Sequence, residues 1–501
     1  MNEIVLSQEQ QDIINEILEP TTDVLSIQAK AGASKSYTMI QAAKALYEKD
    51  RNVKIRYLVF GRLAADEAKT EFGHTAIVSN IHQLAYKYTI SESNMHLLSK
   101  PFATWRDIPN KIYQPYGKTF LALMITTDFF KSDYLSFSKF MENLHYKADK
   151  ETVTLAREII AAMFDGSMGC THDAYLKLFH SGVVNGSIKL DPVDVLMIDE
   201  ANDLNKITLD LFKHYPAKLK ILVGDQNQRI FSFMGCINAF EEFPNAKVLP
   251  LSKSFRCSVN IAKKIQEFGK IFFDDNFVFE GFEYPDNPEI KSYAYISRTN
   301  AELIDKILQL KDTKTPFKLA TKNKAKQMFE VPLAVLRCKQ GNEEKGLRFK
   351  DLQEYVDKYY SSFQLQEMYK SRFAYLLEKM EDDPEIISSI KLIMKYGPKV
   401  IIDVYNEIVH ERHDSANLTL ITAHTSKGLS IDSIEISDGL NDAVSDLIYN
   451  IIYEDYEPTE DDMAELNLYY VAISRARYEV KNAVFIEDRF LNQIKEIRNE
   501  K

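Results

Sequence analysis

The chain has 501 residues, of which 45% are hydrophobic and 27% charged, a composition typical of a soluble globular protein with about three to four domains. Its net charge of −11 argues against nucleic acid as a partner, yet residues 311–350 hold eleven Lys or Arg against four Asp or Glu, and residues 442–465 hold nine acids and no base. Because binding depends on a local stripe and not on the sum, nucleic acid stays a candidate, with a solvated surface as the other interpretation of each block.

The four cysteines are scattered without a C-x-x-C pair, which excludes a cysteine zinc or iron–sulfur site of the usual spacing and fits a reducing cytoplasm. No apolar run approaches bilayer length, and the N-terminal residues lack the pattern of a signal peptide. We therefore expect a cytoplasmic protein without a membrane partner, in the host cytoplasm if the chain is virus-encoded, with the nucleus as an open alternative.

The first pattern along the chain is a strand, a loop of small residues and a helix. Residues 24–27 predict a buried strand, and residues 35–49 show helical periodicity. The loop between them ends in Lys35 and Ser36, an arrangement typical of a phosphate cradle. Backbone N–H groups and the helix N-terminus would face an anion, the lysine would reach the β- and γ-phosphates, and the serine hydroxyl would ligate Mg²⁺.

This loop departs from the G-x-x-x-x-G-K-[ST] pattern, which has glycine where this chain has Ala29 and Ser34. A Cβ at Ser34 narrows the dihedral choice of the loop and crowds the nearest phosphate oxygen. A plain strand–turn–helix with a capping serine therefore stays open as the alternative for this stretch alone.

Strand-like runs alternate with helical periodicity along the remaining chain. The runs are 55–60, 193–198, 220–223, 248–251, 293–296 and 418–422. Near-continuous apolar strands between helices predict an α/β fold with parallel sheets that are covered on both faces. Two helical regions, 90–170 and 322–413, break the alternation and are predicted to be insertions into two α/β cores.

Two carboxylates follow the apolar run 193–198, at the carboxyl end of a predicted strand, where sites in α/β proteins lie. Asp199 would hold Mg²⁺ directly or through water, and Glu200 would polarise the water that attacks the γ-phosphate. The alternative for this stretch is an ordinary acidic helix start after a strand.

A third strand end is followed by a polar turn with Gln228, which could orient water or sense the γ-phosphate. Phe231 and Phe233 come next and could present their rings to bases. Taken alone, such aromatic residues lie more often in the core.

These residues, in this order, resemble the UvrD/Rep-like branch of superfamily 1 helicases, and within it the compact F-box DNA helicase group without an F-box. Further strings carry the same resemblance, at 6–10 (Q motif), 60–67 (Ia), 80–86 (Ib), 171–177, 251–256 (IV), 296–301, 422–429 (V) and 469–476 (VI). One such string is a weak signal, but eight or more in the order of the family are specific.

The resemblance implies a role for each matching residue. Gln10 would read the adenine edge, Phe255 would stack on the ring, and Arg256 and Arg475 would touch the γ-phosphate as arginine fingers do. Taken alone, each arginine is more often a surface ion pair. The implied ATP site comprises Gln10, Ala31, Gly32, Ala33, Ser34, Lys35, Ser36 and Phe255, the catalytic set is Lys35, Asp199, Glu200, Gln228, Arg256 and Arg475, and the metal ligands are Ser36 and Asp199.

Single-stranded DNA would cross both cores, because alternating aromatic and phosphate-binding groups suit sequence-blind binding of a single strand. The implied contacts are Phe60, His82, Phe231 and Phe233 on the first core and Arg298, Asn300, Thr422 and His424 on the second. We call these eight residues the predicted DNA track. RNA stays an open alternative as the bound strand, since contacts of this kind accept both deoxyribose and ribose.

Five positions depart from the pattern of the family. Lys30 and Ser34 replace loop glycines, Asn202 replaces a glutamine, Met234 stands where an arginine is usual, and Ser430 stands where a glutamate is usual. The glycine-rich duplex-contact motif of larger relatives is also absent from the second insertion, so unwinding is a weaker expectation than translocation.

We therefore expect two RecA-like cores with one helical insertion each, bound to ATP and Mg²⁺. The expected bounds are 1–89 with 171–255 for the first core, 90–170 for its insertion, 256–321 with 414–501 for the second core, and 322–413 for its insertion. The implied activity is ATP-driven 3′→5′ movement on single-stranded DNA with strand separation at single/double-strand junctions, alongside repair, replication or recombination proteins. The alternatives are a DNA-binding regulatory subunit with a weakened ATPase, and a translocase that removes proteins from DNA without unwinding.

Overall fold

The structure is a computed structural model that describes residues 6–59, 61–91, 99–100, 103, 107–109, 116–144, 148–231, 236–320, 324–340, 383–410, 416–454 and 456–500. Phe60, Phe233 and Met234, to which the sequence assigned roles or departures, lie outside these residues, as do residues 341–382 of the second predicted insertion. The chain divides into two compact units: unit 1 comprises Met1–Lys30 with Ser34–Leu251, and unit 2 comprises Ala31–Ala33 with Ser252–Lys501.

Unit 1 is built around a six-stranded parallel sheet. The strands of the unit are β1 (Val24–Ala29), β2 (Ile55–Val59), β3 (Ile77–Asn80), β4 (Ser99–Lys100), β5 (Cys170–Thr171), β6 (Val193–Ile198), β7 (Leu204–Asn205), β8 (Ala217–Gly224), β9 (Cys236–Ile237) and β10 (Lys247–Leu251). The sheet has the order β10-β1-β8-β6-β2-β3, which places the strands before the cradle and before the carboxylates one strand apart, with β8 between them. Their carboxyl ends therefore share one edge of the sheet.

Helices cover this sheet and build the helical part of unit 1. They are α1 (Gln8–Leu18), α2 (Lys35–Lys49), α3 (Arg62–Phe72), α4 (Ile81–Tyr86), α5 (Tyr116–Lys131), α6 (Phe137–Glu142), α7 (Lys150–Phe164), α8 (His172–Val184) and α9 (Lys206–His214). Residues of α5, α7 and α8, among them Phe130, Ile159 and Phe179, are buried in one continuous core with the strand residues Leu196 and Ile198. The insertion thus shares its apolar core with the sheet.

Unit 2 has a five-stranded parallel sheet and a separate two-stranded ribbon. Its strands are β11 (Lys253–Ser258), β12 (Glu280–Phe282), β13 (Tyr293–Ser297), β14 (Lys318–Leu319), β15 (Leu418–Thr422), β16 (Ile431–Ile436) and β17 (Ala476–Lys481). The sheet order is β14-β15-β13-β16-β17, and β11 pairs with β12.

The helices of unit 2 are α10 (Val259–Phe272), α11 (Asn300–Asp312), α12 (Lys324–Met328), α13 (Glu330–Gln340), α14 (Pro384–His410), α15 (Ala423–Ser426), α16 (Asp438–Tyr453), α17 (Glu460–Ile473) and α18 (Asp488–Glu500). A kink interrupts α14 at Gly397, which has a non-helical φ of 79°. The next residue is Pro398, which has no backbone N–H to donate to the helical hydrogen bonds.

The α/β class with parallel sheets is confirmed, and every predicted strand run is occupied by an observed strand. Within the described ranges, no helix is both long and apolar enough to cross a bilayer. The four predicted domain bounds stay predictions.

Candidate nucleotide and nucleic-acid site

The cradle loop ends in a strained residue. Ser34 precedes α2 with φ 58° and ψ 41°, in the left-handed region, and its side chain makes no capping hydrogen bond. This conformation costs an L-residue roughly 1–2 kcal/mol, and glycine escapes the cost. The restricted dihedral choice expected from the sequence is therefore present as backbone strain, a feature that often accompanies functional sites. Crowding of a phosphate oxygen by the Cβ stays a prediction.

Three charged side chains and one hydroxyl of unit 1 lie together at the end of this loop. Nζ of Lys35 lies 3.2 Å from Oε1 of Glu200, and Oγ of Ser36 lies 3.5 Å from Oδ2 of Asp199. Glu200 also has a left-handed backbone, with φ 52°. Two non-glycine residues with positive φ thus flank one cluster of a cation, a hydroxyl and two carboxylates.

Asp199 is held by hydrogen bonds on both oxygens. Its Oδ1 accepts the backbone N–H of Glu200 at 2.9 Å, and its Oδ2 accepts the hydroxyl of Tyr57 at 2.7 Å. Burial is the largest influence on this carboxyl and raises its pKa, the neighbouring Glu200 raises it further, and Lys35 acts in the opposite direction. Mg²⁺ favours hydroxyl and carboxylate oxygens completed by substrate phosphates and water, so Ser36 and Asp199 fit this ion.

A buried amide joins the segment after β6 to the segment after β8. Asn202 is fully buried, and its Oδ1 accepts the backbone N–H of Asp225 at 3.2 Å. A Cβ on Gly224 would lie 2.5 Å from that same oxygen, so only glycine fits there. Nε2 of Gln228 donates to Oδ2 of Asp225 at 2.8 Å. Asn202, which stands where the family pattern has glutamine, therefore connects the carboxylate segment to Gln228 through Asp225.

Gln10 is buried, and both ends of its amide are engaged. Its Oε1 accepts the N–H of Ser7 at 3.0 Å in a capping box, and its Nε2 donates to Oγ1 of Thr38 at 2.9 Å. Recognition of adenine by Gln10 stays a prediction. The Gln10 amide would have to replace its hydrogen bonds with Ser7 and Thr38 by hydrogen bonds to the base. The Ser-x-x-Gln spacing is itself a capping-box signal that was visible in the sequence.

In unit 2, the backbone of the cradle contacts β11. The carbonyl of Gly32 accepts the N–H of Phe255 at 2.8 Å. Gly32 has φ +75°, and a Cβ there would lie 2.7 Å from both Cβ of Arg256 and Oγ of Ser254. The close approach of two backbones explains why this loop position is glycine.

The two predicted arginine fingers meet at Ser474. Arg256 donates through Nε to Oγ of Ser430 at 2.7 Å and through Nη1 to the carbonyl of Ser474 at 3.2 Å. Arg475 is 1% exposed and donates to the carbonyl of Val471 and to Oγ of Ser474, each at 2.7 Å. Ser430, which replaces a glutamate of the family, therefore contacts one of the arginines.

The predicted DNA track in unit 1 includes His82 and Phe231, which are both half-buried. The ring of His82 lies 6.1 Å from that of His172 and 6.0 Å from that of Tyr175. Burial lowers the pKa of His82, with the nearby Asp173 acting against the shift. His82 lines a cavity of about 170 Å³, so its ring borders an open space in unit 1.

Two predicted track residues in unit 2 are paired with carboxylates. Arg298 makes a bidentate ion pair with Glu465, with distances of 2.8 Å from Nε and 2.5 Å from Nη2. The backbone N–H and Nδ2 of Asn300 both donate to Oε1 of Glu385 at 2.8 Å. Burial raises the pKa of Glu385, and the bonds from Asn300 lower it.

The remaining two track residues lie at the end of β15. Oγ1 of Thr422 contacts Oγ1 of Thr425 at 2.8 Å, and His424, two residues after Thr422, is half-buried. Both therefore lie at the carboxyl edge of the unit 2 sheet.

Comparison with known proteins agrees with the motifs. An AAA domain family model matches residues 10–234. The chain is 24% identical to F-box DNA helicase protein 1 of Schizosaccharomyces pombe, across 94% of this chain and 56% of that protein. It is 26% identical to F-box DNA helicase 1 of Gallus gallus, across 52% of this chain and 27% of that protein.

The resemblance to superfamily 1 helicases of the F-box type is confirmed. The chain spans less than two thirds of either relative, at 56% and 27% of their lengths.

Three contacts at the candidate site were not predicted from the sequence. They are the bonds from Tyr57 to Asp199, from Arg298 to Glu465 and from Asn300 to Glu385. The only local signal was a tyrosine within the apolar run 55–60, because a hydroxyl buried in a strand needs a partner.

Proposed function

We propose that the protein is an ATP-driven translocase that moves 3′→5′ along single-stranded DNA and couples ATP hydrolysis to strand separation. The observation that carries this proposal is the convergence of Lys35, Ser36, Asp199 and Glu200 at the carboxyl edge of the unit 1 sheet. A cation for the phosphates, a hydroxyl and a carboxylate for Mg²⁺, and a second carboxylate for water are the parts that phosphoryl transfer requires.

The nucleotide site works through an exchange of partners. Lys35 leaves Glu200 when the β- and γ-phosphates of ATP arrive, because two phosphate groups carry more negative charge than one carboxylate. Glu200 would then accept a proton from the attacking water. Ser36 and Asp199 would hold Mg²⁺, which, when bound, neutralises charge on the phosphate oxygens.

The other nucleotide contacts are assigned from the family motifs. Gln228 would orient the attacking water, and its bond to Asp225 keeps its amide in place. Arg256 and Arg475 would stabilise charge on the γ-phosphate, and Phe255 would stack on the adenine that Gln10 reads.

Single-stranded DNA is the proposed track, because the names of both relatives describe DNA helicases. In unit 1 the rings of His82 and Phe231 would support bases, together with Phe60 and Phe233 outside the described residues. In unit 2 the contacts would be Arg298, Asn300, Thr422 and His424. DNA phosphates would then compete with Glu465 and Glu385 for the donors of Arg298 and Asn300.

The experiment that tests the function is strand separation on duplexes with a single-stranded tail at either the 3′ or the 5′ end. We expect ATP-dependent unwinding of the 3′-tailed duplex only, and none by Glu200→Gln. ATP turnover on single strands without unwinding would favour a translocase that removes proteins from DNA. DNA binding without turnover would favour a regulatory subunit.

A further inference from the structure

One buried tyrosine of unit 1 lies beside the proposed metal ligands. Tyr57 is on β2, where it faces Met197 of β6 in the parallel register, and it is 1% exposed. Its ring packs on Phe72 with centroids 4.6 Å apart. A phenylalanine would satisfy this packing equally well, so the ring alone does not account for a tyrosine.

The hydroxyl of Tyr57 has a specific partner two residues beyond that register position. It donates to Oδ2 of Asp199 at 2.7 Å, while Oδ1 of Asp199 accepts the N–H of Glu200 at 2.9 Å. With one donor on each oxygen, the carboxylate cannot rotate freely. Its Oδ2 is thereby kept on the side of Ser36, whose Oγ is 3.5 Å away.

The chemistry of the two groups fixes the direction of donation. A phenol donates its O–H and a carboxylate oxygen accepts, so the proton of this 2.7 Å bond comes from Tyr57. Oδ2 still has a lone pair for a cation, because a carboxylate oxygen accepts more than one interaction. The bond therefore orients Asp199 without occupying the whole oxygen.

We propose that Tyr57 is a positioning residue for Mg²⁺, acting through Asp199 to aim Oδ2 at the ion that Ser36 also contacts. This inference rests on the proposed function as an ATPase. Partners that orient a metal ligand typically contribute tenfold to a hundredfold in metal affinity, roughly, without touching the metal.

The test is Tyr57→Phe, which keeps the ring and removes the hydroxyl. We would titrate Mg²⁺ against the binding of a fluorescent ADP analogue and against ATP turnover, with thermal melting to confirm the fold. The matched control is Tyr215→Phe, another buried tyrosine of unit 1, which is 2% exposed and lies outside the proposed site.

In Tyr57→Phe, the Mg²⁺ concentration for half-maximal nucleotide binding should rise about tenfold to a hundredfold. Turnover at saturating Mg²⁺ should return to within a few-fold of wild type, and Tyr215→Phe should match wild type throughout. An unchanged Mg²⁺ midpoint, or a loss of turnover that no Mg²⁺ concentration restores, would overturn the inference. Absence of turnover in the wild type, with Mg²⁺-dependent nucleotide binding that Tyr57→Phe shifts, would count against the proposed function alone.

Discussion

The ammonium of Lys35 lies 3.2 Å from the carboxylate of Glu200, so the proposed phosphate-binding cation and the proposed general base are paired with each other. Both side chains are shielded, with 13% and 27% of their surfaces exposed, and this strengthens their attraction relative to bulk water. In the proposed function, ATP would have to release the lysine from this pair.

Substitutions of the two members should differ in their effect on ATP binding. Glu200→Gln removes the charge that holds Lys35, so ATP should bind as well as or better than in wild type while turnover is abolished. Lys35→Ala should abolish turnover and also weaken ATP binding. Equilibrium binding of a fluorescent nucleotide, measured beside steady-state turnover, checks both expectations. Turnover by Glu200→Gln within a few-fold of wild type would remove Glu200 from the role of general base.

A second prediction concerns the left-handed backbone of Ser34. Ser34→Gly relieves a strain of roughly 1–2 kcal/mol but adds freedom to the unfolded chain, so the net change in the free energy of unfolding should stay within about 1 kcal/mol. ATP turnover should be equal or faster, because a Cβ beside the phosphates is removed.

The matched control is Ser34→Ala, which keeps the Cβ and removes only the hydroxyl. Since this hydroxyl makes no capping bond, Ser34→Ala should retain turnover near that of wild type. If both variants lost turnover together, the hydroxyl would be part of the site and the account of Ser34 as a tolerated substitution would be wrong.

The parts of the candidate site that are contiguous in the chain could be predicted from the sequence. Strand, loop and helix around Lys35 are contiguous, so their pattern predicts both the elements and the restricted backbone at Ser34. Asp199 and Glu200 were predictable for the same reason, because they directly follow an apolar strand.

Contacts between distant segments leave no comparable signal. Arg298 and Glu465 are 167 residues apart, Asn300 and Glu385 are 85 apart, and the partner of Tyr57 is 142 residues away. Each depends on how helices and strands pack, which periodicity does not encode.

A third prediction concerns the ion pair of Arg298. Glu465→Gln should tighten single-stranded DNA binding by about two- to fivefold, because a partly shielded ion pair of roughly 0.5–1 kcal/mol no longer competes with phosphate. Arg298→Gln should weaken binding and reduce the slope of log affinity against log salt by about 0.7, the value for one contact on a single strand.

The control for this pair is Lys306→Gln, which breaks the ion pair with Glu435 in the same unit at a residue outside the proposed track. Fluorescence anisotropy of a labelled oligonucleotide over a salt series measures all three variants. An Arg298→Gln variant with the affinity and salt slope of wild type would take Arg298 off the track.

A fourth prediction follows from a buried lysine in the helical part of unit 1. Lys177 is 1% exposed, donates to the carbonyl of Ser132 at 2.6 Å and lies 4.6 Å from the ring centre of Phe129. Burial lowers its pKa from 10.5 to about 8, and the charges of Asp133 and Asp210 limit the shift.

Between about pH 8 and pH 10.5 the unfolded chain holds a proton that the folded chain has released, so stability should rise with pH in this window. Burial of the charged Lys177 lowers the free energy of unfolding by on the order of 3 kcal/mol, and this destabilisation is fully present below pH 8. Lys177→Met cannot titrate, so its stability advantage over wild type should be largest at pH 7 and shrink towards pH 10. Urea unfolding of both proteins at the two pH values measures this, and a constant difference would refute it.

In the proposed function, single-stranded DNA stimulates ATP hydrolysis at Lys35 and Glu200. Steady-state ATP turnover, measured with and without a single-stranded oligonucleotide, tests this, with Glu200→Gln as the control for contaminating activity. We expect slow basal turnover that rises several-fold on adding DNA and is absent from the variant. Turnover that is the same with and without DNA, or that persists in Glu200→Gln, would contradict it.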